Sequence, residues 1–252
     1  MQLSFQTFLI VCPMLFLAGL VDSIGGGGGL ISLPAYLFAG LPIHSAIATN
    51  KLSSACGTSL STVRYIKNRL VNARLAVPSV AFAVLGSSIG ARLSLRVEDR
   101  ILKYILFVVL PVAAFFVLNR HLFPDHEEDN LIPDRKMLLT AVIAAFVIGI
   151  YDGFYGPGTG TFLIIAFTVF AKMGANHANA HTKVINLTTN VTSLVIFLIH
   201  GQVLIPLGLA AAAFNMAGNY IGSGLVLSRG TKIIRPVILV VLALLFVKIL
   251  LD

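Results

Sequence analysis

The chain has 252 residues, of which 57% are hydrophobic and only 11% are charged, with a net charge of +8. Soluble domains carry about 25% charged residues, so this composition cannot cover a water-facing surface and excludes an ordinary soluble protein. The basic residues lie in short clusters between apolar runs, where they meet anionic lipid head groups and help to set topology. The charge therefore indicates a lipid bilayer as partner and not nucleic acid.

Apolar segments follow one another along the chain, and several reach the ~20 residues that a helix needs to cross ~30 Å of hydrocarbon. They cover 5–24, 30–39, 45–63, 75–95, 101–118, 137–154, 160–171, 178–199, 203–227 and 233–250. The hydrophilic stretch 119–136 interrupts them and holds half of the ten acidic residues. The pattern predicts an all-α membrane protein of about eight transmembrane helices. It divides into a first transmembrane repeat (1–118), an acidic linker (119–136) and a second repeat (137–252), all within one integral membrane domain.

The two sides of the linker match each other, which indicates an internal repeat. Gly19-Leu-Val-Asp22 aligns with Gly149-Ile-Tyr-Asp152 at an offset of 130. After a two-residue shift, Ala48-Thr-Asn-Lys51 aligns with Ala180-His-Thr-Lys183 at an offset of 132. The same offset relates Gly86 and Gly90 to Gly218 and Gly222. Duplicated halves are a recurring plan in transporters, whose site lies at the repeat interface.

The number of crossings in each half decides how the repeats are related. Four crossings make the repeats parallel, whereas five would make them inverted. The segments 30–39 and 160–171 are short for a full crossing, which favours four plus four.

A glycine-rich run interrupts the first apolar element of each repeat. As one helix, residues 5–39 would span about 50 Å, too long for a single crossing. Because each glycine costs ~1 kcal/mol in a helix, the runs 25–29 and 156–160 predict a discontinuous helix or a re-entrant hairpin. Unwound backbone at membrane depth is tolerated where it is buried or lines a cavity. The candidate substrate-binding positions in these runs are Gly26, Gly27, Gly28, Gly156 and Gly158.

Four ionisable residues lie inside apolar segments: Asp22, Lys51, Asp152 and Lys183. A buried charge costs at least ~2.5–3.5 kcal/mol on insertion scales and often marks an ion or substrate path. We expect the lysines to bind an anion, and the aspartates to balance that charge or carry a coupling proton or cation. The alternative is that each aspartate pairs with a lysine and only ties helices together.

A polar stripe continues from each lysine along one helix face. Lys183, Asn186 and Asn190 fall at i, i+3 and i+7, and Lys51, Ser54 and Thr58 hold the matching positions. Small polar side chains could instead serve as packing contacts between helices. A helix that restarts after a break adds free N–H groups and a positive dipole end, which together with the lysines favour an anion. The predicted substrate-binding side chains are Lys51, Lys183, Asn50, Asn186, Asn190 and Thr58.

Other chemistries have no signature in the sequence. The second glycine run lacks the Gly-Lys-Ser/Thr of a nucleotide loop, no nucleophile elbow is present, and no His, Cys, Asp or Glu cluster has metal-ligand spacing. We therefore expect neither an enzyme nor a cofactor or metal. The alternatives to a transporter are an intramembrane enzyme, a sensor or scaffold subunit, or a channel.

Four motifs carry a resemblance to a known family. They are Asp22-Ser-Ile-Gly-Gly-Gly-Gly-Gly-Leu30, Ala48-Thr-Asn-Lys-Leu52, Tyr151-Asp-Gly-Phe-Tyr-Gly-Pro157 and Leu227-Ser-Arg-Gly-Thr-Lys-Ile-Ile-Arg-Pro236. Over almost its whole length the chain resembles the sulfite exporter TauE/SafE family and, within it, the YfcA-type membrane proteins. The resemblance implies a multi-pass permease of the bacterial inner membrane with eight helices of duplicated origin. Its substrates would be sulfite, sulfonates or related small anions, and it could form a homo-oligomer.

Overall fold

The computed structural model describes residues 4–102, 104, 105, 108, 112 and 133–229. The helices in these ranges are α1 (Phe5–Gly25), α2 (Gly29–Phe38), α3 (Ile43–Lys67), α4 (Ala73–Ser94), α5 (Arg135–Phe154), α6 (Thr159–Ile165), α7 (Ala175–Ile199) and α8 (Ile205–Arg229). A π-helical stretch, Ala166–Phe170, continues α6. The described residues contain no strand, so the predicted all-α class is confirmed.

Four of the described helices are long and apolar enough to cross a membrane: α1, α4, α5 and α7. Helices α3 and α8 each have 25 residues, which is also long enough, but both carry several polar side chains. Most of the segment 101–118, all of 233–250 and the linker residues 119–132 lie outside the described residues. The eight-helix arrangement of two repeats therefore stays a prediction.

The two glycine-rich breaks predicted from the sequence are both present. The first separates α1 from α2, and the second separates α5 from α6. Gly26 and Gly27 have φ angles of +74° and +84°, and Gly156 and Gly158 have +102° and +84°, a region that favours glycine. The helices that follow run 10 residues to Phe38 and 12 to Phe170. At 1.5 Å per residue they reach about half of the hydrocarbon thickness.

The bounds of the helices follow the sequence offsets. Helices α1 and α5 begin 130 residues apart, whereas α3 and α7, as well as α4 and α8, begin 132 apart. The change of offset falls in the short second helix of each half, which is two residues longer in the second half. That half also has the π-helical turn, whose wider ring of i→i+5 bonds accommodates inserted residues.

Hydrogen bonds fix the starts of several helices. Asn72 and Asp134 precede α4 and α5, and the side-chain oxygen of each accepts a bond from a backbone N–H of the first turn. Because Asp134 caps α5, the last two residues of the predicted linker, 135 and 136, are already helical. The N–H of Asn72 donates to His181 Nε2 at 3.1 Å, and the N–H of Leu204 donates to Thr49 Oγ1 at 3.1 Å. These two bonds occupy positions that match at an offset of 132.

Helices from opposite sides of the linker interlock. Helix α1 packs mainly against α8, and α5 packs mainly against α4. A Cβ atom on Gly86 or Gly90 would come closer than 3.0 Å to the backbone of α5. A Cβ on Gly218 or Gly222 would come equally close to the backbone of α1. The matched glycines thus permit close helix crossings of the kind that small residues support in membrane proteins.

Candidate functional site

The two helix breaks contact each other. A Cβ on Gly26 would lie closer than 3.0 Å to the backbone of Gly160, and the reverse is also true. Gly29 is in similar contact, since its Cβ would lie 3.0 Å from Pro157 Cα. The chain before the linker therefore touches the chain after it, backbone to backbone, at the two breaks.

A small polar cavity opens beside this contact. Ten of the residues predicted to form the site line it: Asp22, Gly27, Gly28, Asn50, Lys51, Asp152, Gly156, Gly158, Asn186 and Asn190. They come from α1, α3, α5, α7 and the two breaks, so neither half of the chain could form the cavity alone.

Three other predicted residues lie behind the cavity wall. Lys183 is fully buried, and its Nζ lies 3.0 Å from Asp22 Oδ2. Thr58 is also buried and donates a hydrogen bond of 3.4 Å to the same oxygen. Gly26 is covered by Gly160. These residues support the cavity wall, and a direct role in substrate binding stays a prediction for them.

The lysines and aspartates pair across the two halves of the chain. Lys51 of α3 lies 2.9 Å from Asp152 of α5, and Lys183 of α7 lies 3.0 Å from Asp22 of α1. All four side chains are largely buried. An isolated charge in such a place costs several kcal/mol, so each residue needs its partner. The pairs do tie helices together, and they do so at the wall of the cavity.

The two ion pairs differ in their hydrogen bonding. Lys51 Nζ donates to the backbone oxygen of Asp152 at 2.6 Å and to its Oδ1 at 2.9 Å. Thr159 donates to Oδ1 of the same carboxylate at 2.9 Å, and Thr189 donates to Oδ2. Asp22 has the ion pair and the one long bond from the α3 threonine. The carboxylate of α5 is therefore held by three side chains, and that of α1 is held more weakly.

Several hydrogen-bond donors at the cavity have no partner among the described residues. The amide oxygens of Asn50 and Asn186 accept bonds from Ser54 (3.4 Å) and Asn190 (3.0 Å), which leaves their two Nδ2 groups unpaired. The backbone N–H groups of the lining glycines in the two breaks also lack a bond within the described chain. Together with the Lys51 ammonium, these donors suit a ligand rich in acceptor oxygens.

Sequence reasoning missed Asn215, which lines the cavity from α8. Its Nδ2 donates to the backbone oxygen of Leu15 at 3.2 Å, and its Oδ1 accepts from Asn219 at 2.9 Å. Gly57 makes room for this side chain, because a Cβ there would overlap it. The signal was available, since two asparagines four residues apart stand in an otherwise apolar segment.

Sequence reasoning also missed the two threonines that bind Asp152. Thr159 belongs to the second glycine run, and Thr189 lies on the polar helix face next to Asn190. Neither was singled out, because hydroxyl groups at these positions fit helix packing equally well.

The fold and the site together define a class of protein. The chain is a multi-pass membrane protein whose interrupted helices meet at a polar, charge-paired cavity, an architecture found in membrane transporters. The family model described as "Sulfite exporter TauE/SafE" matches residues 11–249. The chain belongs to that family, as the sequence motifs predicted.

Relatives with similar sequences are named as membrane transporters. The chain is 37% identical to "Probable membrane transporter protein YfcA" of Escherichia coli (strain K12), over 99% of this chain and 94% of the relative. It is 34% identical to "Probable membrane transporter protein ORF9" of Sinorhizobium sp., over 100% and 95%. A "Probable membrane transporter protein" of Haemophilus influenzae is 31% identical over 100% and 98%. No solved structure matches the chain. The predicted multi-pass location in the inner membrane is confirmed.

Proposed function

We propose that the chain is a secondary transporter that exports small anions such as sulfite, sulfonates or related organosulfur compounds. The observation that carries the proposal is the cavity at the junction of the two helix breaks, with a buried lysine and unpaired donors in its wall. No ATP-binding motif occurs in the sequence, so the energy would come from an ion gradient or from the gradient of the substrate.

The donor set favours an oxyanion. A sulfite or sulfonate group presents three oxygens that point in different directions from one sulfur atom. Lys51 approaches such a group from α3, Asn186 approaches it from α7, and the N–H groups of Gly27 and Gly156 approach it from the two breaks. Charge-assisted bonds from the ammonium are about twice as strong as neutral ones, which fixes the position of the anion beside Lys51.

We further propose that access alternates around this cavity. The segments 101–118 and 233–250 would supply the fourth crossing of each repeat and complete the eight-helix plan. The two breaks would act as hinges, because glycines with positive φ allow large changes of backbone direction at low steric cost. Motion of one interlocked half against the other would then open the cavity to each side of the membrane in turn.

Transport by the pure protein in liposomes tests the proposal. Uptake of labelled sulfite is followed alone and with an excess of unlabelled sulfonates, thiosulfate, sulfate or uncharged amino acids. We expect saturable uptake that sulfur oxyanions compete and uncharged amino acids do not. Liposomes with the Lys51→Ala protein provide the matched control and should show only leakage. Folded protein that moves none of these anions would contradict the proposal and favour a sensor, scaffold or enzyme.

A further inference from the structure

We propose that Asp22 is the site of a coupling proton, and that protonation of its carboxylate releases Lys183 and favours the binding of an anion in the cavity. The companion pair, Lys51–Asp152, stays ionised and fixed throughout. This inference rests on the proposed function and assigns the two symmetry-matched pairs to different tasks.

The first observation is a difference between matched positions in the two halves. Asp152 accepts hydrogen bonds from Thr159 and Thr189. At the sequence offsets of 130 and 132, the corresponding positions beside Asp22 are Gly29 and Gly57. Asp22 therefore has no counterpart of either of these hydroxyl donors. Hydrogen bonds to a carboxylate favour its charged form, so losing them makes protonation easier.

The second observation is the geometry of the weaker pair. Lys183 Nζ lies 3.0 Å from Asp22 Oδ2, yet no hydrogen bond in the described chain is aligned with this buried ammonium. In contrast, Lys51 Nζ makes two well-placed bonds to its aspartate. The Lys183 ammonium therefore lacks the fixed bonds that hold the other lysine, and less binding energy is lost when its ion pair opens.

The third observation is access to the cavity. Asp22 lines the cavity, and its side chain is 13% exposed, compared with 3% for Asp152 and 0% for Lys183. A proton from the cavity therefore reaches the Asp22 carboxylate more readily than the Asp152 carboxylate. The proton comes from hydronium in the aqueous phase, so one O–H bond of hydronium breaks, one O–H bond forms on the carboxylate, and water is left.

The charge balance explains why the proton would favour an anion. Two lysines and two aspartates lie at the cavity and its wall, so their formal charges cancel. Protonation of Asp22 leaves one net positive charge, which a monoanion neutralises. Lys51 and Asp152 face the same cavity. Tyr65 of α3, which lies near Asp22, donates a hydrogen bond from its hydroxyl to the backbone oxygen of Ser23. Among the described lining residues from α2, α6, α7, α8 and the two breaks, none is titratable.

A metal cation fits Asp22 less well than a proton does. A cation such as Na⁺ needs several oxygen ligands around one point, and the Lys183 ammonium already stands 3.0 Å from the carboxylate. A proton needs only the single carboxylate oxygen. Proton binding also removes the negative charge that holds the Lys183 ammonium. Dependence of anion binding on Na⁺ would indicate a sodium ion instead of a proton.

The test measures binding of methanesulfonate to the purified full chain by calorimetry between pH 5 and pH 9. Methanesulfonate stays a monoanion throughout this range, so any pH dependence belongs to the protein. We expect the affinity to rise as the pH falls, by up to about tenfold per pH unit for one linked proton. Asp22→Asn should abolish this slope, whereas Asp152→Asn should weaken binding but keep the slope.

Two isosteric variants keep the test valid if Asp22→Asn does not fold. Thr58→Val removes the hydroxyl donor of Asp22, so the midpoint of the pH dependence should move to higher pH. Thr189→Val removes one donor from Asp152 and should leave that midpoint unchanged. The inference would be overturned if the affinity for methanesulfonate did not change with pH, or if Asp152→Asn abolished its pH dependence. It would also be overturned if the affinity changed with Na⁺ concentration at constant pH. If neither methanesulfonate nor sulfite binds at any pH, the proposed function itself fails.

Discussion

The two breaks perform the same structural task with different residues. The first lies within a run of five glycines, and the aspartate before it is held by one ion pair and one long hydrogen bond. The second contains Pro157 and Thr159, and the aspartate before it is held by a lysine and two threonines. In the same cavity, Asp152 is thus held firmly and Asp22 is held weakly, although the two segments match in sequence. The matching sequence places the two aspartates at equivalent positions, whereas the side chains around each one determine how firmly it is held.

The largest effects are expected at the two lysines. Lys51→Ala and Lys183→Ala should each abolish saturable anion flux in liposomes, because each leaves an aspartate unpaired at the cavity. Removal of one partner from a buried ion pair costs about 3–5 kcal/mol. We expect Lys51→Ala to lower the unfolding temperature more, since Asp152 is the more buried carboxylate. Wild-type flux in both variants would contradict the assignment of the site. An equal decrease in unfolding temperature would contradict the proposed difference between the two ion pairs.

The sequence was sufficient to locate the framework of the site but not its internal bonding. The glycine runs, the intramembrane charges and the repeat offsets each have strong local signals, and most of the corresponding residues line one cavity. The choice of partner, with Lys51 bound to Asp152 rather than to Asp22, depends on how the halves interlock. That packing depends on close helix crossings at Gly86 and Gly218. A glycine in the sequence indicates that a close crossing is possible, but it does not identify the helix that crosses there.

Gly27 offers the next largest effect, and the chain provides a matched control for it. Gly27 and Gly40 both have φ of +84°, so a side chain at either position meets the same backbone strain. Gly27 lines the cavity, whereas a Cβ on Gly40 would meet nothing within 4 Å. We expect Gly27→Leu to reduce sulfite uptake at least tenfold and Gly40→Leu to leave it within about twofold, after correction for the amount of folded protein.

The outcome at Gly27 also bears on the second break. Gly158→Leu should reduce uptake in the same way, because Gly158 lines the cavity with a φ of +84°. Normal turnover in both variants would show that the substrate does not approach the backbone of the breaks. Reduced uptake in the Gly27 variant alone would show that the substrate contacts only the first break, next to Asp22.

The smallest effects should distinguish Asn186 from Ser54, which occupy matching positions at an offset of 132 and both line the cavity. The Nδ2 group of Asn186 has no partner among the described residues, so Asn186→Ala should remove one bond to the anion. A lost hydrogen bond to a charged group is worth about 1.5–3 kcal/mol, so the KM for sulfite should rise at least tenfold.

Ser54→Ala should change the KM by less than about threefold, because the serine hydroxyl makes only one long bond, of 3.4 Å, to Asn50. Initial rates of uptake over a range of sulfite concentrations measure both values, and kcat should change little in either variant if the lost contact is uniform between bound states. Equal KM values for the two variants would place the anion midway between the two side chains. A larger effect at Ser54 would place the anion nearer to Asp22. The larger effect that we expect at Asn186 places the oxyanion beside Asn186 and Lys51. There it interacts electrostatically with Asp22 and leaves the Lys51–Asp152 ion pair intact.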